Sequence, residues 1–258
     1  MKIVVLVKEV PDTYGERKLS LETGLAERGA SEAVLDEIGE RALEVALSFA
    51  DTVPGTEIVV LSMTAESAAA TVRKGLAMGA SSAVQIADPA LRGADLGLTA
   101  QVLAAAVQRT GFDLVIGGNL STDGTAGVIP AMVAELLAVP AATGLSEVTI
   151  ADASVSGVRV SDGATMQVTS PLPAVISITE ALPDARFPNF KGIMAAKKKP
   201  FETLTLADLR LDADESGVAR SIMVDIAEKP PRAAGVKITD EGDGGDRLAQ
   251  YLVDNRLA

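Results

Sequence analysis

The chain has 258 residues, of which 48% are hydrophobic and 22% charged, and its formal net charge is −12. This composition supports a sizeable core and disfavours global disorder, and the negative charge argues against nucleic acid or an anionic membrane as the main partner. Cysteine and histidine are both absent. Their absence excludes disulfides, thiol chemistry and imidazole catalysis, so any redox chemistry must come from a bound organic cofactor.

The first part of the chain alternates between strand and helix patterns. Strand patterns occupy residues 2–10, 57–63, 83–87 and 113–118. A first helix begins at about Asp36, a candidate N-cap, and further helical patterns cover residues 66–78, 95–109 and 126–138. This alternation predicts an α/β fold, a Rossmann-like parallel sheet with helices on both faces. The polar, irregular stretch at 13–35 (the long loop) is a candidate functional loop because of its length.

The second part of the chain has a different character. Four short strand patterns at residues 145–152, 156–162, 164–170 and 173–179 predict a small antiparallel region. The sequence therefore predicts a nucleotide-binding domain at 1–181, including antiparallel strands at about 145–180, then a partner-recognition loop at 182–201. An extended C-terminal arm at 202–258 ends in an amphipathic stretch whose apolar residues are Leu248, Tyr251 and Leu252, and it lies on its own domain or on a partner.

Two features of the sequence bear on localisation. A strand pattern starts at residue 2, which leaves no room for a signal or transit peptide. The longest charge-free run, at 163–179, contains Pro171 and Pro173 and is shorter and more polar than a spanning helix of about 20 apolar residues. We expect a cytoplasmic protein without membrane insertion.

The strongest chemical signal is GGNLSTDGTAG at residues 117–127, the glycine-rich loop, which lies between a strand and a helix. Small residues there let backbone N–H groups approach a phosphate at a helix N-terminus, where ligands of open α/β sheets bind. The loop contains no Lys or Arg, so we expect amides and hydroxyls alone to hold the phosphate. The alternative is an ordinary turn in which Asp123 or Thr125 caps the next helix.

The sequence favours binding without catalysis at this loop. The candidate acids and bases are Asp36 and Asp123, and each is more simply a helix cap or a ligand to ribose or adenine. The acidic run at 240–246 lacks the order of a calcium loop. We therefore expect no metal site and no catalytic residues.

Residues 186–201, the aromatic segment, gather rings and positive charge in an acidic, ring-poor chain. They hold three of the five phenylalanines, at 187, 190 and 201, together with Arg186 and four lysines. One interpretation places Phe190 outside the core, because its neighbours Asn189, Lys191 and Gly192 are poor core companions, and makes the segment a binding surface whose lysines steer an acidic partner. In the alternative the rings are core residues and the lysines a solvated face, an interpretation that we favour for Phe187 and Met194.

Three stretches together match one family. They are VLVKEVPD at 5–12, RKGLAMGASSAVQI at 73–86 and LPAVISITEALPDARFPNFKGIMAAKKKP at 172–200. Over essentially its whole length, the chain resembles the beta subunit of the electron-transfer flavoprotein family. The third match is the long and specific one.

The resemblance implies a non-catalytic subunit of a heterodimer. A homologous alpha subunit would hold most of an FAD, shared at the interface, while this chain holds a structural AMP. The pair would take electrons from acyl-CoA and related flavin dehydrogenases, as in fatty acid beta-oxidation, and pass them to a membrane quinone oxidoreductase. A second FAD in place of AMP, with electron bifurcation, stays open. The alternative class is a stand-alone adenine-nucleotide-binding or ATP-cleaving module of the same α/β type.

The resemblance also implies site residues. The AMP site would consist of Leu6, Asp36, Glu37, Ile38, Gly39, Met63, Asp123, Gly124, Thr125, Ala126, Gly127, Val128, Ile129 and Ala134. The partner-binding residues would be Arg186, Phe190, Lys191, Ile193, Met194, Lys197, Lys198 and Lys199, with the lysines facing either the dehydrogenase or the alpha subunit. The chain departs from the family pattern at Asp36, Glu37 and Ile38, where Asn-Pro-Phe is common, and in lacking a Gln in the glycine-rich loop.

Overall fold

The computed structural model describes residues 1–215, 218, 220–235, 237 and 239–258. Its internal contacts divide the chain into two compact units, Met1–Val224 and Asp225–Ala258. The first unit contains the sheet, its covering helices and the residues predicted to bind nucleotide and partner.

The helices and strands of the first unit follow the predicted alternation. The strands are β1 (Lys2–Leu6), β2 (Glu9–Pro11), β3 (Ala33–Leu35), β4 (Glu57–Met63), β5 (Ser82–Ile86), β6 (Leu114–Gly118), β7 (Ala141–Ile150), β8 (Ser154–Ser161), β9 (Ala164–Pro171), β10 (Ala174–Ile178) and β11 (Phe201–Leu204). The helices are α1 (Glu37–Thr52), α2 (Ala69–Met78), α3 (Leu96–Thr110), α4 (Ile129–Leu136), α5 (Phe190–Ala196) and α6 (Leu206–Leu209).

A nine-stranded sheet runs through this unit in the order β11-β5-β4-β1-β6-β10-β7-β8-β9. From β11 to β7 every neighbouring pair is parallel. The central strands are almost entirely buried, which explains their continuous apolar sequences. The prediction of an α/β fold with a mainly parallel sheet is confirmed.

Helices cover both faces of the sheet, and each face has its own core. Side chains of α1 and α2 pack with Ile3 and Val5 of β1, whereas side chains of α3 and α4 pack with Val4. The alternation of side chains along a strand places neighbouring residues in opposite cores. Gly75 of α2 allows close packing, because a Cβ there would lie 2.8 Å from Val60 Cγ2.

The last of the four short strands does not belong to the antiparallel region, contrary to our expectation. β7, β8 and β9 form an antiparallel meander, but β10 returns to the centre and pairs in parallel with both β6 and β7. All five residues of β10 are buried. A strand buried on both faces needs apolar residues on both sides, and the sequence AVISI of β10 provides them. Most residues of β9, in contrast, are exposed.

The first strand pattern and the fourth helix also differ from expectation. Residues 2–10 split into β1 and β2, and β2 leaves the main sheet to pair with β3 at the base of the long loop. Helix α4 begins at Ile129 rather than residue 126, because Thr125 and Gly127 have positive φ angles of 52° and 68°. Such angles are incompatible with a right-handed helix.

The first unit extends past residue 202, where the sequence predicts the arm to begin. β11 pairs in parallel with β5, and Leu206 of α6 is buried. The described residues of the second unit include the helix α7 (Gly244–Asp254), preceded by a turn in which Gly242 and Gly244 donate to Asp240. Leu248 and Tyr251 of α7 are exposed, as expected for an amphipathic stretch that cannot bury its apolar face alone.

Candidate functional site

The predicted nucleotide residues gather at the carboxyl edge of the sheet. Leu6 and Met63 lie at the ends of β1 and β4, and Gly118 ends β6. The first turn of α1 packs against this edge, because a Cβ on Gly118 would lie 2.5 Å from Ile38 Cγ2. Gly118 therefore permits an approach that a larger residue would block. Gly39 is less restricted, because a Cβ there would meet the Val7 Cα at 3.4 Å, an ordinary van der Waals distance.

The glycine-rich loop is folded by its own small polar groups. The Thr125 N–H donates to the Ser121 carbonyl at 3.0 Å, and the Gly124 N–H donates to Ser121 Oγ at 3.2 Å. Within residues 119–136, all of which the structure describes, no side chain caps α4. The alternative in which Asp123 or Thr125 caps this helix is therefore wrong, and the first-turn N–H groups of α4 point out of an uncapped end.

Asp36 is one of the few buried acidic side chains, with 2% of its surface exposed. Asp36 holds the N-cap position of α1, as predicted, but its side chain makes no cap hydrogen bond; its Oδ2 instead accepts the Thr122 N–H of the glycine-rich loop at 3.0 Å. In the described part of the chain, Asp36 Oδ1 and Thr122 Oγ1 are buried without a hydrogen-bond partner. Burial raises the pKa of the Asp36 carboxyl, against the hydrogen bond from the Thr122 backbone N–H, which lowers it.

Asp123 is paired with two cations from distant parts of the chain. Lys8 Nζ lies 2.7 Å from Oδ1 and Arg28 Nη2 lies 2.8 Å from Oδ2, and the Asp123 side chain is 8% exposed. Burial opposes its ionisation, but the hydrogen bonds and charge of Lys8 and the bonds from Ser121 and Arg28 hold the pKa of Asp123 well below its usual range. We expected amides and hydroxyls alone to hold a phosphate at this loop, with no Lys or Arg nearby. The expected absence of a nearby cation is wrong, because Lys8 and Arg28 lie beside the loop.

A third cation reaches the loop from the same direction. Arg17 donates to the Thr122 carbonyl, so the long loop is attached to the glycine-rich loop at two points, through Arg17 and Arg28. With Lys8, three cations therefore reach the glycine-rich loop: Lys8 and Arg28 pair with Asp123, and Arg17 bonds the Thr122 carbonyl. The sequence signal for Lys8 was its place two residues after the end of β1, where side chains meet the ligand edge.

The other predicted nucleotide residues are distributed unevenly. Residues 124–128 are exposed along the loop, Ile129 is half-buried and Glu37 is exposed on α1. Ala134 is 1% exposed and packs in the core from the buried side of α4, five residues after the first residue of that helix. Ala134 therefore supports the helix instead of lining the open edge.

The aromatic segment presents its rings to solvent. Phe190 begins α5 and is 79% exposed, while Phe187 is 94% exposed and Met194 47% exposed. The expectation that Phe187 and Met194 are core residues is wrong; the expectation that Phe190 lies outside the core is confirmed. Asn189 caps α5 by accepting the Gly192 N–H at 2.8 Å, which orients the first turn that carries Phe190.

The cations of the aromatic segment divide into two groups. Lys191, Lys197 and Lys198 are exposed. Lys199 donates to the Leu76 and Ala80 carbonyls at 3.0 and 2.6 Å, at the carboxyl end of α2, and burial lowers its pKa. Its charge complements the partial negative charge of that helix end.

Arg186 is held by α1. Its Nη2 lies 2.8 Å from Glu44 Oε1 and 2.8 Å from Asp51 Oδ2, and its backbone N–H donates to Glu44 Oε2 at 3.0 Å. Burial of Glu44 opposes ionisation, but the bonds and charge of Arg186 outweigh it and lower the pKa of that carboxyl. Ile193 is 46% exposed beside this anchored stretch.

Comparison with known proteins identifies the family of this chain. A family model described as "Electron transfer flavoprotein domain" matches residues 18–209. This chain belongs to the electron-transfer flavoprotein family, as a beta subunit. The subunit beta of Mycobacterium tuberculosis H37Rv is 44% identical, with 99% of this chain and 98% of that protein covered. That of Syntrophomonas wolfei is 32% identical, with 98% and 96% covered.

Family membership gives the chain a role in electron transport as part of a flavoprotein. A further relative, subunit CarD of the caffeyl-CoA reductase-Etf complex of Acetobacterium woodii, is 31% identical, with 91% of this chain and 90% of that protein covered. Among the residues that the structure describes, no helix is both long and apolar enough to cross a membrane. The same residues contain no cluster of acidic side chains suited to a metal ion.

Proposed function

We propose that this chain is the non-catalytic beta half of a heterodimeric electron-transfer flavoprotein. It binds AMP at the carboxyl edge of its sheet, while an alpha subunit holds most of an FAD that supplies the redox chemistry. The aromatic segment docks acyl-CoA and related flavin dehydrogenases, and the electrons leave to a membrane quinone oxidoreductase. We infer a cytoplasmic location.

The observation that carries the AMP assignment is the pair of buried, unpartnered oxygens beside the glycine-rich loop. In the described residues, Asp36 Oδ1 and Thr122 Oγ1 lack partners, and buried polar atoms without partners are costly. The hydroxyl and amino groups of a nucleoside would provide the missing bonds. The residues present therefore fit a nucleotide.

The charge around the loop supports an anionic ligand. The whole chain has a formal net charge of −12, which would repel a phosphate. Locally, Lys8, Arg17 and Arg28 place three positive charges at the glycine-rich loop. The first turn of α4 has no side-chain cap, and its N–H groups other than that of Pro130, which has none, add donors. The phosphate would therefore lie near this helix end and the nucleoside near Asp36.

The same contacts argue against turnover. Asp123 is ionised, so it has no proton to donate. Its two carboxylate oxygens already accept hydrogen bonds from Lys8 and Arg28. Asp36 bonds the loop backbone through Oδ2, and we assign its other oxygen, Oδ1, to the nucleoside. A general base must be free to reach a reacting proton, and in this arrangement both carboxylates are committed to holding the loop or the nucleoside. AMP would be a structural ligand.

Docking by the aromatic segment follows from exposure and chemistry. Phe190 stands out from a capped helix start, next to the exposed Lys191. Aromatic anchors surrounded by polar groups dominate binding energies at protein interfaces. The exposed apolar face of α7 similarly needs a covering surface, and we assign it to the alpha subunit.

The direct test is to coexpress the chain with an alpha subunit, purify the complex, denature it and chromatograph the released nucleotides. We expect equimolar FAD and AMP and no sustained ATP hydrolysis. Two FAD per complex without AMP would instead support the electron-bifurcating variant. ATP turnover by the purified chain, or a stable monomer that contains stoichiometric FAD, would contradict the proposal.

A further inference from the structure

The Phe187 ring is almost fully exposed and lies between two stretches of chain that are attached to the first unit. It is 94% exposed, compared with 79% for Phe190, and the other three phenylalanines are half-buried. Exposed apolar side chains are common on mobile tails. Phe187 differs, because the chain on both sides of it is attached to the first unit, through Arg186 on one side and through α5 on the other.

On its N-terminal side, the anchor is the polar stripe of α1. Arg186 uses its guanidinium and its backbone N–H on Glu44, and its guanidinium also reaches Asp51. Glu44 receives a further bond from Ser48 Oγ at 3.0 Å. One turn earlier, Arg41 pairs with Asp184. Two ion pairs of opposite polarity thus hold this stretch against one helix face.

On its C-terminal side, the anchor is the packing of α5 on α2. Asn189 caps α5, and Gly192 allows the two helices to touch, because a Cβ there would lie 2.3 Å from the Ala77 carbonyl oxygen. Ala196 is buried at the end of α5. The chain between Arg186 and Asn189 therefore has only Phe187 and Pro188 between its two attachments, and proline restricts it further.

We propose that Phe187 is a second docking ring, held outward by the Arg186–Glu44 clamp, and that it contacts the same flavin dehydrogenase as Phe190. This inference rests on the proposed docking function. The partner surface would be apolar beside the pocket for Phe190 and acidic at its rim, to match the exposed lysines at 191, 197 and 198.

The physical reason is preorganisation. Part of the binding free energy is lost when a loop must become ordered on association, and a loop that is already rigid avoids that loss. Arg186 points away from the partner side, into α1, so it acts as a positioning residue while the two rings make the contact. Burying a previously exposed ring then adds directly to affinity.

The test uses the heterodimer with its FAD and one purified acyl-CoA dehydrogenase. Phe187→Ala should weaken the complex roughly tenfold, with flavin content and melting temperature unchanged. Glu44→Gln keeps both rings but loosens the clamp; it should weaken docking about 3- to 10-fold and speed amide hydrogen exchange over residues 183–190. Leu96→Ala, an exposed apolar residue on α3 at the opposite sheet face, is the matched control and should leave docking unchanged.

Phe190→Ala separates this inference from the proposed function. If Phe190→Ala weakens docking and Phe187→Ala does not, the second ring is wrong and the docking function stands. If neither variant changes docking, the docking function itself fails. A Phe187→Ala chain that loses its alpha subunit would assign the ring to that interface and overturn the inference. Faster exchange in Glu44→Gln without weaker docking would overturn the role of the clamp.

Discussion

The glycine-rich loop and the aromatic segment use charged residues in opposite ways. At the loop, cations from remote positions converge on Asp123, and the polar atoms of Asp36 and Thr122 lie buried and open to a ligand. In the segment, Arg186 and Lys199 turn inward to helices α1 and α2, and the apolar rings turn outward. The first region leaves buried polar atoms unpartnered within the described residues, as our proposal of a small polar ligand requires, and the second exposes apolar rings.

This difference shows that residue type alone does not identify a binding surface. Arg186 and Lys199 belong to the most basic stretch of the chain, yet both are committed to internal bonds. Lys8 and Arg28 lie far from the glycine-rich loop in sequence and complete its charge. All four cations are bonded inside the fold, whereas Asp36 Oδ1 and Thr122 Oγ1 are buried without partners in the described residues.

The largest effect should come from removing a cation at the loop. Lys8→Met leaves the buried Asp123 carboxylate with Arg28 alone, so we expect a loss of about 2–3 kcal/mol in the free energy of unfolding at pH 7, with lower AMP content. Denaturant titration and nucleotide analysis would measure both. Lys18→Met is the matched control, because its partner Glu16 is exposed.

The pH dependence sharpens this prediction. The folded-state pKa of Asp123 is depressed, so its contribution is present above the unfolded pKa of 3.8 and is lost as pH falls through the lower folded value. The stability difference between wild type and Lys8→Met should therefore be full at pH 7 and shrink in strong acid. A difference independent of pH would show that the lysine acts through packing.

At the segment, Phe190→Ala should act on binding alone. Losing the burial of one Phe side chain, worth about 1.5–3 kcal/mol, predicts a roughly 10- to 100-fold weaker complex with the dehydrogenase. Because the ring is exposed in the free chain, the melting temperature and FAD content should not change. A lower melting temperature with normal dehydrogenase turnover would make Phe190 a structural residue.

Gly192→Ala should affect both fold and docking. The added Cβ would meet the Ala77 carbonyl oxygen at 2.3 Å, so α5 must shift from α2, at a cost of about 1–3 kcal/mol. Thermal melting and dehydrogenase affinity should fall together. Gly29→Ala, where an added Cβ meets nothing within 4 Å, provides the control. Normal docking in a destabilised Gly192→Ala chain would separate α5 from recognition.

The smallest effect should distinguish two kinds of lysine. Replacing both Lys197 and Lys198 with Gln should slow dehydrogenase association about 2- to 5-fold at low salt, and the difference should vanish at high salt. Lys199→Gln should lower stability by about 1 kcal/mol through lost bonds at the end of α2, with little dependence on salt. Stopped-flow kinetics and melting curves in a salt series would measure both, and equal salt responses would contradict the division.

Local patterns in the sequence determined most of the elements. β4 occupies residues 57–63 as predicted, and Asp95 caps α3 by accepting the Leu98 N–H. Periodicity, caps and breakers act over a few residues, so they are readable without the fold. The poor core companions of Phe190 likewise predicted its exposure.

Only the tertiary structure decided what comes together at the sites. Lys8 and Asp123 are separated by 115 positions, and Arg186 and Glu44 by 142. No local pattern encodes these pairs, because they arise where the sheet order places β1 beside β6 and where the chain returns over α1. The same holds for β10, whose place between β6 and β7 follows from the need to bury AVISI on both faces, and for Phe187, which is exposed because its neighbours are bonded elsewhere.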